Sequence, residues 1–242
     1  MRKYSFLDKV QLKLIYLSAR KLGLSYIGGH FVKTSCLREN ITLIDLGANR
    51  GIFYQDISKS YSIKGFCVEA NYLLYAALMT NLNFKKYHGA VCDFDGETSF
   101  SISQNDEASS MNNAIASAWS ISEYITVPAY KLSTLMALSL IGEHVDVLKV
   151  DIEGAEISVF ESLSDSELLS FRQITVEFHE FLDDSLKYAT YKTISRIRRL
   201  GFKMIVTSTE KFSEVLFLRM DIKFSLSEWL WYYIHQLVRH KF

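Results

Sequence analysis

Acids and a histidine stand at the ends of two apolar segments of the sequence. Asp151 and Glu153 directly follow the segment Val145–Val150, and Glu177 and His179 stand at the end of a later one. If both segments are parallel strands, their carboxyl ends meet at the edge where open α/β sheets bind ligands. Imidazole titrates near neutral pH and can accept a proton from a hydroxyl group. We therefore expect these four side chains to converge as a catalytic group, with His179 able to act as the base.

The same four side chains allow two other interpretations. Carboxylates and imidazole also suit a divalent cation that lowers the pKa of a bound hydroxyl, and we rank catalysis without a metal narrowly ahead of this. Alternatively, Glu153 and Glu156 are first-turn acids at a helix N-terminus that Asp151 caps. Lys149 is either a buried partner of one of these acids or a solvated lysine, and stays outside the catalytic set. The histidines without visible partners, interpreted as ordinary core or surface residues, are His30, His88 and His144.

A turn containing two glycines follows an earlier apolar segment, Ile41–Leu46. Glycine permits a sharp turn and a close approach of the backbone to a ligand. Glu69 ends the next apolar segment about 20 residues on, where a carboxylate can accept hydrogen bonds from both ribose hydroxyls. The combination predicts a nucleoside-type cofactor, with a plain tight turn as the alternative. The turn lacks the Gly-Lys-Ser/Thr of a Walker loop and the three glycines of a dinucleotide fingerprint. It reads Asp45-Leu46-Gly47-Ala48-Asn49-Arg50-Gly51.

Taken in order, these motifs resemble those of the FkbM family of methyltransferases. The resemblance covers about Ile41–Met220, and the ordered set is more specific than any single motif. One departure is Leu132-Ser133, where family members tend to carry Leu-Asp. Besides the glycine turn, the matching stretches are Val68-Glu69-Ala70-Asn71, Ala90-Val91-Cys92-Asp93-x-Asp95-Gly96, Ser109-Ser110, Leu148–Glu156 and Val176-Glu177-x-His179.

The resemblance implies a fold, a cofactor and an acceptor. The fold is a doubly wound, Rossmann-like α/β domain of the class I methyltransferases, the cofactor is S-adenosylmethionine, and the acceptor is a hydroxyl of a sugar, glycan or secondary metabolite. Two alternatives from other classes are a non-catalytic module that keeps the cofactor pocket and an NAD-dependent oxidoreductase. The residues implied for cofactor binding are Asp45, Gly47, Ala48, Asn49, Gly51, Glu69, Asn71, Ala90, Ser109 and Ser110.

The apolar segments predict one α/β domain with an extension at each end. Strand and helix candidates alternate from Ile41 onward, which favours a mostly parallel sheet. The last two strand candidates, Phe202–Thr207 and Val215–Arg219, could form an antiparallel edge hairpin. The predicted parts are a helical cap over residues 1–40, a methyltransferase core over 41–220 with an insertion at about 96–134, and a terminal amphipathic helix over 221–242.

Composition and charge exclude several classes of protein. The 27 basic and 27 acidic residues give a net charge of zero, so nothing in the overall charge favours a nucleic-acid partner. The three cysteines lack the paired spacing of a zinc site or a disulfide framework, which is typical of a reducing cytoplasm. No apolar run reaches the roughly 20 residues that cross a bilayer.

The tail over residues 229–242 mixes aromatic and basic residues, as interfacial helices often do. One interpretation is a peripheral contact with the inner face of a membrane, through which the protein would reach a lipid-linked acceptor. The other, which we place somewhat ahead, is a helix packed on the domain or on a dimer partner.

Overall fold

The computed structural model describes residues 6–103, 121–142, 144–180, 184–208 and 212–240. The strands are β1 Ser25–Ile27, β2 His30–Val32, β3 Asn40–Leu46, β4 Ser62–Glu69, β5 Phe84–His88, β6 Ala90–Cys92, β7 Gly96–Ser103, β8 Ile121–Lys131, β9 Val145–Val150, β10 Phe171–Val176, β11 Lys203–Val206 and β12 Val215–Leu218. The α-helices are α1 Phe6–Lys21, α2 Ile52–Ser58, α3 Tyr72–Ala77, α4 Leu132–Leu138, α5 Glu156–Ser162, α6 Asp165–Ser170, α7 Lys187–Arg199 and α8 Leu226–His240.

Seven strands form the central sheet in the spatial order β11-β12-β10-β9-β3-β4-β5. The pairs β10–β9, β9–β3, β3–β4 and β4–β5 are parallel, whereas β12 is antiparallel to both β10 and β11. The predicted α/β class, the mainly parallel sheet and the antiparallel edge are therefore confirmed.

Both faces of this sheet are buried, because alternate residues of β3 enter different clusters. Ile44 and Leu46 pack in one cluster with residues of α5 and α7. Ile41 and Leu43 pack in a second cluster with residues of α2. Successive side chains of a strand point to opposite faces, so helices on both sides explain why β3 is apolar along almost its whole length.

The segment predicted as an insertion contributes two strands of a second, three-stranded sheet in the order β6-β8-β7. The short stretch His88–Cys92 is divided between the two sheets, since β5 ends at His88 in the main sheet and β6 begins at Ala90 in the small one. The polar pattern from Gly96 did not predict β7, which pairs antiparallel with β8 in the described part of the insertion.

The two ends of the chain pack together on the antiparallel edge of the sheet. Residues of α1 and α8 join one apolar cluster with Ile205 of β11 and Leu216 and Leu218 of β12. The first 40 residues are not helical throughout, because α1 is followed by the antiparallel hairpin β1–β2. None of the helices in the described ranges combines the length and the apolar character needed to cross a membrane.

Candidate functional site

A cavity of about 570 Å³ opens at the carboxyl edge of the central sheet. This size is within the range of about 300–1,000 Å³ that is typical of small-molecule sites. Its walls come from the turns after β3, β9 and β10, the end of β4, the start of β6, and the turn between β1 and β2. The site is therefore where doubly wound sheets place their ligands.

Glu69 lies in this cavity and is held by the backbone. The Asn49 N–H donates to Glu69 Oε2 at 2.7 Å, and the Asn71 N–H donates to Oε1 at 2.8 Å. Burial raises the pKa of the Glu69 carboxyl. Each carboxylate oxygen has further acceptor capacity, so the side chain can still accept hydrogen bonds from two neighbouring hydroxyls of a ligand.

Gly47 is required because its backbone lies close to another turn of the protein, whereas its motif suggested a close approach to a ligand. Its φ is +73°, and a Cβ there would lie 1.8 Å from the carbonyl oxygen of Asp151. A side chain at Gly47 would therefore collide with the turn after β9 before it reached a ligand. Glycine at this position permits the ends of β3 and β9 to approach closely. The turn after β3 therefore packs directly against the turn after β9 that carries Asp151.

The structure separates the residues implied for cofactor binding into three groups. Gly47, Ala48, Asn49, Glu69 and Ala90 line the cavity. The residues that do not line it are Asp45, Gly51 and Asn71, whose cofactor contacts stay a prediction. The two that lie outside the described residues are Ser109 and Ser110.

Each of the three residues that do not line the cavity has a structural role. Asp45 is fully buried, and its Oδ1 lies 3.3 Å from Lys149 Nζ. Gly51 is in the left-handed region and precedes α2. The side chain of Asn71 accepts a hydrogen bond from the Leu73 N–H and caps α3. These residues shape the cavity through their neighbours.

Three of the four predicted catalytic residues line the cavity, and the fourth lies directly behind them. Asp151, Glu153 and Glu177 are cavity residues, whereas His179 is only 4% exposed. His179 Nε2 lies 3.2 Å from Glu153 Oε2 and 4.0 Å from Glu177 Oε1. His179 Nδ1 lies 2.9 Å from Glu156 Oε1. The expected convergence is therefore present.

The surroundings of His179 argue against a role as general base. Burial alone would lower its pKa, but the carboxylates of Glu156 and Glu153 outweigh this effect and raise the pKa to about 10. At neutral pH the ring is a cation with a carboxylate at each nitrogen, so it has no lone pair for a substrate proton. His179 instead neutralises and positions the acids around it.

The acids differ strongly in their affinity for protons. Burial raises the pKa of Glu153 to about 7. Burial and the nearby Asp151 raise the pKa of Glu177 to about 8. Burial by itself would also raise the pKa of Asp151. The positive charge of Lys149 and the contact with His30 outweigh this effect and hold the pKa of Asp151 well below the usual range. The cavity thus contains a permanent carboxylate beside two carboxyls that titrate near neutral pH.

Lys149 and His30 flank Asp151 on its buried side. Lys149 Nζ and His30 Nε2 each lie 3.6 Å from Asp151 Oδ2. His30 Nδ1 also lies 3.3 Å from Thr175 Oγ1 of β10. His30 is thus a buried core histidine, as one of the two interpretations had it, but it does have partners. Its partners are more than 100 residues away in the sequence, where no local spacing could reveal them.

The helix-terminus alternative holds for Glu156, which lies in the first turn of α5, but it does not account for Asp151 and Glu153. The N-cap of α5 is Ala155, which makes no side-chain cap hydrogen bond. Glu156 accepts hydrogen bonds from the N–H groups of Gly154 and Ile152 and also contacts His179. Asp151 makes no cap, and Glu153 has a positive φ of +53°, which is uncommon for a residue other than glycine.

The arrangement also contains a possible set of metal ligands. One atom from each of Asp151, Glu177 and His179 lies within 4.8 Å of the others. However, both ring nitrogens of His179 face carboxylates, and its pKa is raised to about 10. A cation would have to displace that proton, so the geometry favours a hydrogen-bonded cluster over a metal centre.

Several cavity residues had no signal in the sequence. Tyr26, Gly28 and Gly29 come from the β1–β2 hairpin, and Glu214 comes from the residue before β12. Burial raises the pKa of Glu214, whose carboxylate accepts a hydrogen bond from the Thr207 hydroxyl. These residues belong to the walls of the site although they lie outside the motifs.

Comparisons with known proteins bear on the family and the fold. The family described as the methyltransferase FkbM domain matches residues 45–204. Among solved structures, the methyltransferase FkbM from Methylobacillus flagellatus is 13% identical with a TM-score of 0.50, over 82% of this chain and 47% of that one. This chain thus spans about half the length of that protein. No protein with a curated description matches the chain.

Two further structures are similar at lower scores. Human methyltransferase-like protein 13 in complex with SAH is 11% identical with a TM-score of 0.46, over 95% of this chain and 91% of that one. The Methanococcus jannaschii fibrillarin pre-rRNA processing protein is 14% identical with a TM-score of 0.42, over 83% and 71%. At such identities, structural similarity bears on the fold and not on the substrate.

Proposed function

This chain belongs to the FkbM methyltransferase family, and from that premise we propose that it methylates a hydroxyl group of a sugar, glycan or secondary metabolite with S-adenosylmethionine as donor. The observation that carries the proposal is the division of one cavity into two ends. Glu69 and the backbone of Ala48 and Asn49 form one end, and the carboxylates of Asp151, Glu153 and Glu177 form the other.

The first end suits the nucleoside part of S-adenosylmethionine. Glu69 is fixed by two backbone donors and presents a carboxylate that can accept from the ribose hydroxyls. Small residues, Gly47, Ala48 and Ala90, leave room for the ligand on the adjoining walls. When bound, S-adenosylmethionine supplies a methyl group on a positively charged sulfur, and the nearby negative charge of Asp151 favours that charge.

The second end suits a hydroxyl acceptor. A hydroxyl must be aligned with the methyl group and must lose its proton, so positioning and one base are required. Glu177 is the best candidate for that base, because it lines the cavity and its raised pKa of about 8 makes it more basic than an ordinary carboxylate. Asp151 and Glu153 can accept hydrogen bonds from the acceptor, while His179 holds Glu153 and Glu177 from behind.

The proposal is tested in two stages with the full chain. Isothermal titration with S-adenosylmethionine and with NAD comes first, and tight binding of NAD alone would overturn the methyltransferase assignment in favour of an oxidoreductase. Methyl-labelled S-adenosylmethionine is then incubated with a panel of sugars, oligosaccharides and lipid-linked glycans. The position of the label in the product, read by NMR, decides the acceptor atom, and a label on nitrogen or carbon would overturn O-methylation.

A comparison with added chelator and with added Mg²⁺ or Mn²⁺ tests the metal-free mechanism. We expect the same turnover in all three conditions. Loss of turnover with chelator and recovery with the cation would instead assign Asp151, Glu177 and His179 as metal ligands.

A further inference from the structure

The cavity extends along the carboxyl edge of the central sheet well beyond its cofactor end. Its walls include Glu69 at the end of β4 and, on the far side, Glu214 directly before β12. Between these two strands lie β3, β9 and β10. Neighbouring strands are about 4.8 Å apart, so four strand spacings separate the two ends of the cavity by about 19 Å. The end at β12 therefore leaves room for a second molecule beside the cofactor.

Glu214 lies beside the proposed base at this far end. Val176 of β10 pairs with Val215 of β12 in an antiparallel register. The next position of this register brings Glu177 opposite Glu214. The Thr207 hydroxyl donates to Glu214 Oε2 at 3.2 Å, and a carboxylate with about four acceptor sites can still accept from a ligand. An acceptor with one hydroxyl at Glu177 would therefore have a second carboxylate within reach of a neighbouring hydroxyl.

Tyr26 of the β1–β2 hairpin is an aromatic wall of the same region. Its ring contacts those of Phe31 and Tyr16, with ring centroids 4.9 and 6.2 Å apart. Phe31 is buried, whereas Tyr26 is 52% exposed and lines the cavity. The ring is thus held by its neighbours while half of its surface stays free for a ligand. Burial, followed by the carboxylates of Glu214 and Glu177, raises the pKa of the Tyr26 phenol, which therefore stays neutral at physiological pH.

An aromatic ring beside two carboxyls suits a sugar ring. A pyranose has an apolar C–H face, which an aromatic side chain can cover, and a rim of hydroxyls, which carboxylates can accept from. A positively charged amine would also suit an aromatic ring beside acids. However, the positive sulfur of S-adenosylmethionine and the cations of Lys149 and His179 already face these acids, so the charges favour a neutral ring.

On the basis of the methyltransferase function proposed above, we infer that Tyr26 and Glu214 form the acceptor subsite. The Tyr26 ring covers the apolar face of a pyranose, and Glu214 accepts a hydrogen bond from the hydroxyl next to the one held by Glu177. Both residues lie outside the stretch 45–204 that matches the family. They would therefore determine which acceptor this chain selects.

The test is the binding of methyl pyranosides to the full chain saturated with S-adenosylhomocysteine, which fills the cofactor end and transfers no methyl group. Saturation-transfer NMR compares the methyl glycosides of glucose, galactose, mannose, rhamnose and glucosamine at concentrations up to on the order of 20 mM. An NMR titration then gives the dissociation constant of the glycoside that binds best. We expect a neutral glycoside to bind better than the glucosaminide.

The variants separate the ring from the rest of the tyrosine. Tyr26→Leu should raise the dissociation constant of the glycoside about tenfold, whereas Tyr26→Phe keeps the ring and should change it less than about threefold. Glu214→Gln should raise it about fivefold, because a neutral acceptor replaces a charged one. The matched controls are Tyr124→Leu and Glu97→Gln, at exposed positions outside the cavity. The affinity for S-adenosylhomocysteine should stay within about twofold in every variant.

Four outcomes would overturn the inference. They are a wild type that binds none of the glycosides, equal glycoside affinities of the wild type, Tyr26→Leu and Glu214→Gln, a parallel loss of S-adenosylhomocysteine affinity, and preferred binding of the glucosaminide. The third would assign Tyr26 and Glu214 to the cofactor end, and the fourth would assign them to an amine. The methyltransferase function fails in a different way, because a glycoside that binds through Tyr26 but never receives the methyl label would reject that function alone.

Discussion

Glu69 has two features in one side chain, since it accepts hydrogen bonds from the backbone of Asn49 and Asn71 and lines the cavity. Replacement by alanine would remove both hydrogen bonds to the backbone, so Glu69→Gln is the milder test: it keeps the size of the side chain, removes the charge and retains one acceptor for the two N–H groups. We expect the dissociation constant for S-adenosylmethionine to rise by about 10- to 100-fold, because hydrogen bonds to a charged group contribute about 1.5–3 kcal/mol. Isothermal titration measures the change.

The control for this experiment is Glu97→Gln, an equal change at an exposed position of β7. Equal affinities of the wild type and Glu69→Gln would contradict the ribose assignment.

Glu177 is expected to matter for turnover and not for cofactor affinity. Glu177→Gln removes the proposed base and should lower the turnover number by about 10² to 10⁴. A base works in its deprotonated form, so wild-type activity should rise as the pH passes the Glu177 pKa of about 8. Steady-state assays between pH 6 and 10 measure both effects, and Glu161→Gln on the exposed side of α5 is the control. A variant as active as the wild type would exclude Glu177 as the base.

His179 links the stability of the fold to pH. Its pKa rises from about 6.5 in the unfolded chain to about 10 in the folded protein, so its protonated ring stabilises the fold fully below pH 6.5. That contribution is lost as the pH rises through 10. The raised pKa values of Glu153 and Glu177 likewise make the fold less stable as the pH rises. We expect His179→Gln to lose about 3 kcal/mol of stability near pH 6 and to approach the wild type near pH 10.

Urea denaturation at each pH measures this difference, with His144→Gln at the opposite edge of the sheet as the control. A constant difference between His179→Gln and the wild type across the pH range would show that the His179 proton does not stabilise the fold.

The β1–β2 hairpin shows how an element outside the family match takes part in the site. Gly28 has a φ of +50°, and a Cβ there would lie 2.5 Å from Phe53 Cα, whereas a Cβ at Gly29 with φ +93° would meet nothing within 4 Å. Both alanine variants incur backbone strain of about 1–2 kcal/mol, but only Gly28→Ala should push the hairpin away from α2. In Gly28→Ala alone, we expect the free energy of unfolding to fall by about a further 1–3 kcal/mol, and we expect weaker binding of S-adenosylmethionine.

Thermal unfolding and titration of the two variants test this expectation. Equal stability and equal affinity of Gly28→Ala and Gly29→Ala would contradict the tight contact between the hairpin and α2.

The elements of the core could be predicted because each depends on its own residues. Val145–Val150 was predicted with the bounds that the structure has, since four of its six residues are apolar, three of them valines, and acidic residues follow it. The hairpin β1–β2 was missed because strands of three residues have no clear period. The strand β7 was missed although Phe100 and Ile102 alternate with serines, because polar residues dominate that stretch. The contacts of His30 and Glu214 with the site depend on the folded chain, so local patterns could not reveal them.

At the scale of the whole molecule, a buried histidine adds polar contacts to the apolar packing between the terminal helices α1 and α8. His235 of α8 connects α1 and β11 through Ser18 and the Val206 carbonyl. His235→Ala leaves a cavity and an unpaired polar group, so we expect a loss of about 2–4 kcal/mol. Urea denaturation measures it, and Lys13→Ala on the exposed side of α1 is the control. A stability within about 0.5 kcal/mol of the wild type would show that the termini are not coupled through this residue.

The position of β12 between β10 and β11 has a consequence for protein synthesis. The strand of the central sheet that leaves the ribosome last is an interior one, so the edge of β10 stays open while α7 and β11 are being made. In the described sheet, β11 pairs with β12 alone and therefore has no partner before β12 arrives. Until residue 218 is translated, the nascent chain carries the open edge of β10 and the wholly unpaired strand β11, which are surfaces prone to aggregate and ones that a chaperone would be expected to cover.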